Sequence, residues 1–148
     1  MTAQIPDRLI NDYPEIDLSG LHVYAVIVGD IEANHGWGEP YAFTIQASPD
    51  PRVMCSALWR GYVSLYQLND AGHLTLTGFE YPFHTGRAAE SVTEALVGDF
   101  WLLVKESFFA NRIYIPFLNG VVVKDRSRWV HETRPNNSFK PTPLRGSA

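Results

Sequence analysis

The sequence predicts a mainly β protein, an antiparallel meander that forms a partly open barrel or a sandwich and contains at most one short helix. Apolar residues recur at every second position in several short segments, which is the period of a β-strand. Turn-forming residues, such as Asn119 followed by Gly120, separate these segments. Helical and strand patterns do not alternate along the chain, which argues against a parallel nucleotide-binding sheet.

Length and composition indicate one domain with two appendages. The chain has 148 residues, of which 45% are apolar and 19% are charged, as in ordinary globular domains. We predict an N-terminal arm over residues 1–19, a single β domain over 20–133 and a disordered tail over 134–148. The arm is polar and contains Pro6 and Pro14, so we expect it to pack only in part. The tail combines prolines and positive charges with almost no apolar period.

The domain is predicted to begin with a strand, a loop and a second strand. Residues 21–29 carry apolar side chains in both alternating sets, which fits a strand buried on both faces. Residues 30–40 place glycines around Trp37 and end in Pro40, a composition typical of a loop. Residues 41–47 alternate between apolar and polar types, which predicts a strand with one buried face.

A long hairpin is predicted to follow. The odd-numbered positions of residues 52–68 are expected to face the core, and the even-numbered positions are expected to form a mixed aromatic and polar face. Because the segment is longer than a typical strand, we expect a bend or bulge at Gly61. Residues 69–72 have turn chemistry, and residues 73–81 return with Leu74, Leu76 and Gly78 inside and Thr75, Thr77 and Phe79 opposite.

The last part of the domain is predicted to contain one short helix and three strands. Residues 88–97 are interpreted as two or three helical turns that Gly98 would end. Residues 99–106 and 112–117 are interpreted as strands. The Asn-Gly pair then turns the chain into a strand over residues 121–124, which residues 126–131 either extend or leave frayed.

The charge is unevenly distributed and bears on partners. Residues 1–100 carry four Lys/Arg against 13 Asp/Glu, whereas residues 101–148 carry eight against three. Without residues 134–148 the body has a net charge of −7. Such an acidic body argues against a nucleic-acid partner, because phosphate binding requires a basic surface. It suits a basic protein partner.

Membrane insertion and secretion are not predicted. The longest apolar run, residues 23–28, is far shorter than the roughly 20 residues that a membrane-spanning helix needs. The first residues do not show a basic segment followed by an apolar one, so we expect no signal peptide and a cytoplasmic location. Cys55 is the single cysteine, which excludes an internal disulfide and fits a reducing compartment.

The usual signatures of catalysis and cofactor binding are missing from the sequence. There is no Gly-x-Ser-x-Gly elbow and no phosphate-cradling glycine loop. Cys55 alternates with core residues and is interpreted as an inert buried thiol. A Ser-His-Asp triad assembled from distant positions stays open. We therefore predict no cofactor, metal or catalytic residue, and the balance favours a protein that is not an enzyme.

The loop over residues 30–39 is the first candidate site. Glu32 and His35 are three residues apart, a spacing that would place two metal ligands on one helical face, but the neighbouring glycines argue against a helix. Trp37 lies between glycines in this acidic loop, and tryptophan is enriched at binding hot spots. We predict that Glu32, His35 and Trp37 bind a protein partner; the alternative is a solvated acidic loop.

The long strand offers a second candidate site. Arg60, Tyr62 and Tyr66 share its even-numbered face, and a guanidinium beside phenols can hold a carboxylate or a phosphate. These residues would bind a small molecule, or act in a small enzyme, at the mouth of a rolled sheet, with His22 or His84 nearby. The structural alternative is an arginine stacked on aromatic rings or paired with an acid across strands.

The tail string NNSFKPTPLRG, residues 136–146, resembles the peptide encoded when a reading frame runs through the recombination site of an integron gene cassette. The alternative is a native basic tail that binds an acidic partner. The motifs Trp59-Arg-Gly-Tyr62 and Gly72-His-Leu-Thr-Leu76 loosely resemble an uncharacterised family of small bacterial proteins. That family brings no activity, whereas a cassette origin implies a mobile element whose products include resistance enzymes and immunity or defence factors.

Together these observations lead to one hypothesis and one alternative. The hypothesis is a non-enzymatic binding protein, in its concrete form an immunity or defence factor that recognises a basic protein partner. The alternative is a small-molecule-binding protein or small enzyme. A homodimer formed through an open edge strand is compatible with either.

Overall fold

The structure is a computed structural model that describes residues 3–31, 39–41, 62–83, 88–133 and 138–141. These residues form eleven strands and one short 3₁₀ turn, Arg126–Arg128. The strands in chain order are β1 (Arg8–Asn11), β2 (His22–Val28), β3 (Glu39–Pro40), β4 (Val63–Leu68), β5 (Leu74–Glu80), β6 (Glu90–Ala95), β7 (Phe100–Lys105), β8 (Ile113–Leu118), β9 (Val121–Val122), β10 (Val130–Thr133) and β11 (Ser138–Pro141).

The strands form two sheets that do not close. The first sheet has the order β1-β4-β5-β6, and the second has the order β11-β10-β8-β7-β2-β3 with β9 added on β8. Within the described ranges, β1 and β4 pair in parallel and every other strand pair is antiparallel. The predicted fold class, a mainly β sandwich or partly open barrel, is confirmed. None of the helical structure in the described part of the chain is long and apolar enough to cross a membrane.

The N-terminal segment contributes a strand and three core side chains. The sequence predicts an arm that packs only in part over residues 1–19, whereas all four residues of β1 pair with residues 65–68 of β4, and Tyr13, Ile16 and Leu18 are buried in the main core. Alternation could not reveal this contribution, because the apolar residues of the segment are spaced irregularly among polar ones. The buried positions follow from tertiary packing alone.

The predicted hairpin is present as β4 and β5. Its turn is closed by hydrogen bonds from Asn69 N to His73 O (2.9 Å) and from Gly72 N to Asn69 O (3.0 Å). Gly72 has φ +86°, a backbone conformation that glycine adopts without steric cost. The register of β4 with β5 shifts between Leu65 and Tyr66, where Thr77 of β5 is the extra residue, and the register of β5 with β6 shifts between Leu76 and Gly78. The bulge that the sequence predicts at Gly61 lies outside the described residues.

The structure corrects the predicted faces of the hairpin. Tyr66 and Leu68 were expected on a mixed polar face, and Phe79 opposite the core, yet all three are buried in the main core. In β4 the even-numbered positions from Ser64 onward are buried and the odd-numbered Leu65 and Gln67 are half-buried, which is the reverse of the prediction. In β5 the extra residue Thr77 moves the following side chains to the other face, so alternation fails beyond it and Phe79 is buried.

The prediction of a short helix over residues 88–97 is wrong. Glu90–Ala95 is strand β6, which pairs antiparallel with β5. At Gly78 the carbonyl oxygen of Glu90 comes within 2.4 Å of the position that a Cβ atom would occupy, so the glycine allows the two strands to approach. Half-buried and exposed residues alternate along β6. In the sequence Ala89, Val92 and Leu96 have a helical spacing, and pairing with β5 decides in favour of a strand.

The later strands follow the prediction closely. Phe100, Leu102 and Val104 of β7 face the main core, while Trp101 and Leu103 lie on the opposite face. The Asn-Gly turn between β8 and β9 is formed as predicted, with positive φ at both residues (52° and 79°). After β9 the chain makes the 3₁₀ turn before β10, so the strand predicted over residues 121–124 is shorter than expected.

The main core lies between the two sheets, and a second cluster lies on the far side of the second sheet. Trp129 is fully buried in the main core, and its indole Nε1 donates a hydrogen bond to Val123 O (2.9 Å). The second cluster contains Ile27, Ile31, Tyr114 and Val130, against which Ala25, Trp101 and Leu103 pack. We call this far side of the second sheet the outer face. The second sheet is therefore apolar on both faces, as the sequence of β2 predicts.

The C-terminal residues add an edge strand to the second sheet. β11, Ser138–Pro141, pairs antiparallel with β10. The sequence assigns these residues to a tail outside the domain, because their composition is that of disordered chain and their pairing partner cannot be identified from local pattern. The strand predicted over residues 41–47 lies outside the described residues except for Tyr41, which packs against the main core.

Candidate functional site

The residues predicted to bind a protein partner lie next to a well-anchored position. Glu32, His35 and Trp37 fall outside the described residues. The chain enters this segment from Ile31, whose side chain is 2% exposed and belongs to the second cluster. The start of the predicted binding loop is thus held on the outer face of the second sheet.

The residues of the alternative ligand site are only partly described. Arg60 and His84 lie outside the described residues. The ring of Tyr62 packs edge-on against Phe79, with the ring centroids 5.4 Å apart. Tyr66 is 3% exposed and belongs to the main core between the sheets. Its phenol ring is therefore part of the packed interior, which differs from the open face that the sequence predicts for it.

A cavity of about 360 Å³ lies on the outer face, and we call it the outer cavity. Its walls combine an apolar majority with one acid and one base: Asp30, Ile31, Trp101, Pro116, Leu118, Arg128 and Val130. Asp30 and Ile31 immediately precede the predicted binding loop. The outer cavity therefore joins that loop to residues from three other parts of the second sheet.

Trp101 is held in place by its neighbours on β8. Its ring packs edge-on against Tyr114, with the centroids 6.5 Å apart. β7 and β8 pair so that Trp101 lies opposite Pro116, and both residues line the outer cavity. Leu118 is 39% exposed at the end of β8. An indole that is fixed by its neighbours and borders a cavity loses little side-chain entropy when it binds a partner.

A buried ion pair lies at the other end of the outer face. Glu132 is 5% exposed, its Oε2 is 3.4 Å from Arg112 Nε, and its Oε1 accepts a hydrogen bond from Arg112 N (3.2 Å). Burial raises the pKa of the Tyr114 hydroxyl, and a hydrogen bond from Arg112 partly opposes that increase. Tyr114 is therefore a neutral phenol at neutral pH, suited to packing and hydrogen bonding.

The described residues give no indication of a metal centre. No group of three or more His, Cys, Asp or Glu side chains within these ranges could hold a metal ion. The outer cavity presents an indole, aliphatic surface and two opposite charges. Of the residues that line the outer cavity, only Asp30 and Ile31 belong to the loop that the sequence singles out. Trp101 and Arg128 have the local pattern of an ordinary strand and turn, so the sequence did not identify them.

Comparison with known proteins adds no relative. No family model, no curated protein and no solved structure matches the chain.

Proposed function

We propose that this chain is a non-enzymatic binding protein that recognises a protein partner through the outer cavity and the loop that begins at Ile31. The observation that supports this most directly is the position of the cavity. Asp30 and Ile31, which lead into the loop, form one wall, and Trp101 and Arg128 contribute to the others. The two residues that precede Glu32, and with it the predicted loop, thus line a recessed and largely apolar surface.

The composition of the cavity fits a protein interface. Tryptophan and arginine are the residue types that most often dominate binding energy, and an apolar centre with charged groups beside it is the usual arrangement of an interface. Trp37 is six residues beyond Ile31, so its Cα lies within about 20 Å of the anchored position. Trp37 and Trp101 can therefore contribute to one interface.

The charge of the body indicates a basic partner. Residues 1–133 carry a net charge of −7, and the loop itself contains Glu32 and Glu39 after Asp30. An acidic surface raises the rate at which a basic protein associates. An immunity or defence factor that neutralises a basic enzyme is the concrete form of this proposal, and the resemblance of the tail to a cassette read-through supports the same context.

The test begins with identification of the partner and ends with affinities. The wild-type chain is used to capture a partner from its host, and the purified partner is then titrated against variants. Trp37→Ala combined with Glu32→Gln is expected to weaken binding about 100-fold, and Arg128→Ala about tenfold, as for hot-spot residues. Lys124→Ala provides a matched control, because Lys124 is an exposed cation outside the outer cavity.

Equal affinities of the partner for the wild type and for the variants would contradict the proposal. A purified partner that binds the double variant and Arg128→Ala as tightly as the wild type uses another surface. Equal losses for Arg128→Ala and Lys124→Ala would show an effect that is not specific to the outer cavity, which would contradict the role given to that cavity. Melting temperatures of all variants are measured in parallel, so that a loss of folding is recognised.

A further inference from the structure

Strand β11 carries the chain back to the wall of the outer cavity. It pairs antiparallel with β10, and Pro141, the last residue of β11, lies opposite Val130, the first residue of β10. Val130 lines the outer cavity, and Arg128, two residues before it, lines the same cavity. Residues 142–148, which we call the post-β11 segment, therefore begin beside this wall.

The post-β11 segment is long enough to enter the outer cavity. Cα atoms of residues that pair across antiparallel strands are about 5 Å apart, so Pro141 is close to the wall at Val130. Leu144 follows three residues later in the sequence. An extended chain advances up to about 3.5 Å per residue, so the Cα of Leu144 is at most about 11 Å from that of Pro141. This reach brings its side chain into the range of the cavity.

Leu144 has the chemistry that the outer cavity accommodates. The wall is mainly apolar, with Ile31, Trp101 and Leu118 among its residues. Leu144 is the only large aliphatic residue in the sequence of the post-β11 segment, and Pro143 precedes it. A proline fixes its own φ and restricts the residue before it, so less conformational entropy is lost when such a segment binds.

The charge of the tail favours contact with the body. Residues 134–148 contain three basic and no acidic residues, a net charge of +3, whereas residues 1–133 have a net charge of −7. The wall of the outer cavity holds both Asp30 and Arg128, so the attraction comes from the body as a whole. The pairing of β11 with β10 already joins part of this basic tail to the body. The tail thus has the charge that the proposed function assigns to the partner.

We propose that the post-β11 segment occupies the outer cavity, with Leu144 as its anchor beside Trp101 and Leu118, and that it competes there with the protein partner. The competition rests on the proposed function, whereas the contact within the chain does not. A segment tethered beside the cavity has an effective concentration of the order of 1 mM, so a weak contact is sufficient. Occupation in about 90% of the molecules lowers the apparent affinity for the partner about tenfold.

The contact within the chain is tested first, without a partner. Nuclear magnetic resonance signals of the Trp101 indole and the Leu118 amide are compared between the wild type, a chain that lacks residues 142–148, and Leu144→Ser. Both residues lie on strands that β10 separates from β11. We expect the two variants to shift these signals in the same direction. We also expect a soluble nitroxide to broaden the indole signal about twofold or more beyond its effect on the wild type.

Ile10→Ser is the matched control. Ile10 is an aliphatic residue on β1 of the other sheet, 62% exposed, and it does not line the outer cavity. The variant should leave the Trp101 and Leu118 signals as they are in the wild type. Equal shifts in Ile10→Ser and Leu144→Ser would contradict the role of Leu144 as the anchor.

Dilution identifies the molecule that supplies the segment. A tethered contact does not depend on protein concentration, so the Trp101 signal of the wild type should be the same at about 20 and about 500 µM. A signal that moves on dilution would show that a second copy supplies the segment. That result would overturn the assignment to the same chain.

Affinities for the captured partner test the competition. The truncated chain and Leu144→Ser should bind the partner about tenfold more tightly than the wild type, and Ile10→Ser should bind it equally. Tighter binding by the truncated chain alone would be an effect of the lost Arg145 charge, and it would contradict the role of Leu144. If truncation lowers the melting temperature, Leu144→Ser decides, because it keeps the whole chain.

The two measurements separate this proposal from the proposed function. Trp101 and Leu118 signals that stay unchanged in both variants would overturn the occupation of the cavity and leave the proposed partner site intact. Signals that shift while the partner affinity stays the same would overturn the competition. The affinity of Arg128→Ala would then show whether the partner uses the outer cavity at all.

Discussion

Asp7 shows how much of the fold can depend on one residue. Its amide donates to Val23 O (2.7 Å), which links it to β2, and its carboxylate accepts from Ser64 N, which links it to β4. Both bonds are at the corner between the two sheets. Because Asp7 is buried, loss of the carboxylate would leave the amide of Ser64 without its partner.

We therefore expect Asp7→Ala to lower the free energy of unfolding by about 2–3 kcal/mol. The exposed Asp12, which accepts a hydrogen bond from Gln67 Nε2 (2.7 Å), provides the control. Asp12→Ala should cost no more than about 0.5 kcal/mol, as is usual at the surface. Urea unfolding measures both. Equal values for the two variants would contradict the role given to Asp7.

His131 should make stability depend on pH. Burial, and then the nearby Arg126, lower the pKa of its imidazole below the ordinary value of 6.5. The folded state therefore disfavours the protonated ring, whereas the unfolded chain accepts the proton near pH 6.5. Its contribution to stability is complete above pH 6.5 and is lost as the pH falls through that value towards the lower pKa of the folded state.

His131→Gln should accordingly flatten the decrease in unfolding free energy between about pH 7 and pH 5. His73→Gln is the matched control, because that ring is exposed in the hairpin turn. The pH dependence is measured by urea unfolding at a series of pH values. A slope that is the same in His131→Gln and in the wild type would exclude His131 as its source.

At the scale of elements, the pairing of β5 with β6 depends on the absence of a side chain at residue 78. A Cβ atom there would lie 2.4 Å from Glu90 O, a distance that real Cβ atoms do not reach. β6 joins the sheet through this close approach. The same close approach allows a segment that resembles a helix in sequence to pair with β5 as a strand.

Gly78→Ala should therefore destabilise the protein by more than about 2 kcal/mol, because the two backbones must separate. Gly20→Ala separates this steric effect from backbone strain, since Gly20 has φ +78° but no atom within 4 Å of the added Cβ. That variant should cost about 1 kcal/mol. Thermal and urea unfolding measure the free energy of unfolding of both variants. A smaller cost for Gly78→Ala than for Gly20→Ala would contradict the close approach.

The C-terminal strand leads to another prediction about an element. β11 pairs with all four residues of β10, whereas β8 pairs with only Val130 and His131. Deletion of residues 134–148 should therefore speed amide hydrogen exchange in β10 about tenfold or more, because its edge is opened. Deletion of residues 142–148 leaves β11 intact and is the control. Unchanged exchange in the longer deletion would show that β11 does not protect β10.

At the scale of the whole molecule, the acidic body should govern how fast a partner arrives. With a net charge of −7 over residues 1–133, association with a basic partner should slow about tenfold or more between 50 and 500 mM salt. The dissociation rate should change much less. Stopped-flow or surface-based kinetics measures both rates. An association rate that is insensitive to salt would argue against a basic partner.

The sequence by itself determined the mainly β class, the hairpin between β4 and β5, the strands β7 and β8, and the Asn-Gly turn. These features depend on local alternation and on residues that prefer particular turns. Only the tertiary structure decided which faces β4 and β5 bury, because both faces of β4 carry apolar residues and the extra residue Thr77 shifts the alternation in β5. It also decided that residues 90–95 form a strand.

The candidate sites divide in the same way. The loop residues Glu32, His35 and Trp37 could be selected from sequence because a tryptophan between glycines in an acidic loop is locally unusual. Trp101 and Arg128, which line the outer cavity, could not, because each has an ordinary local pattern. Cavities form where segments that are distant in the chain pack against one another. Local sequence patterns do not show which segments will pack or pair.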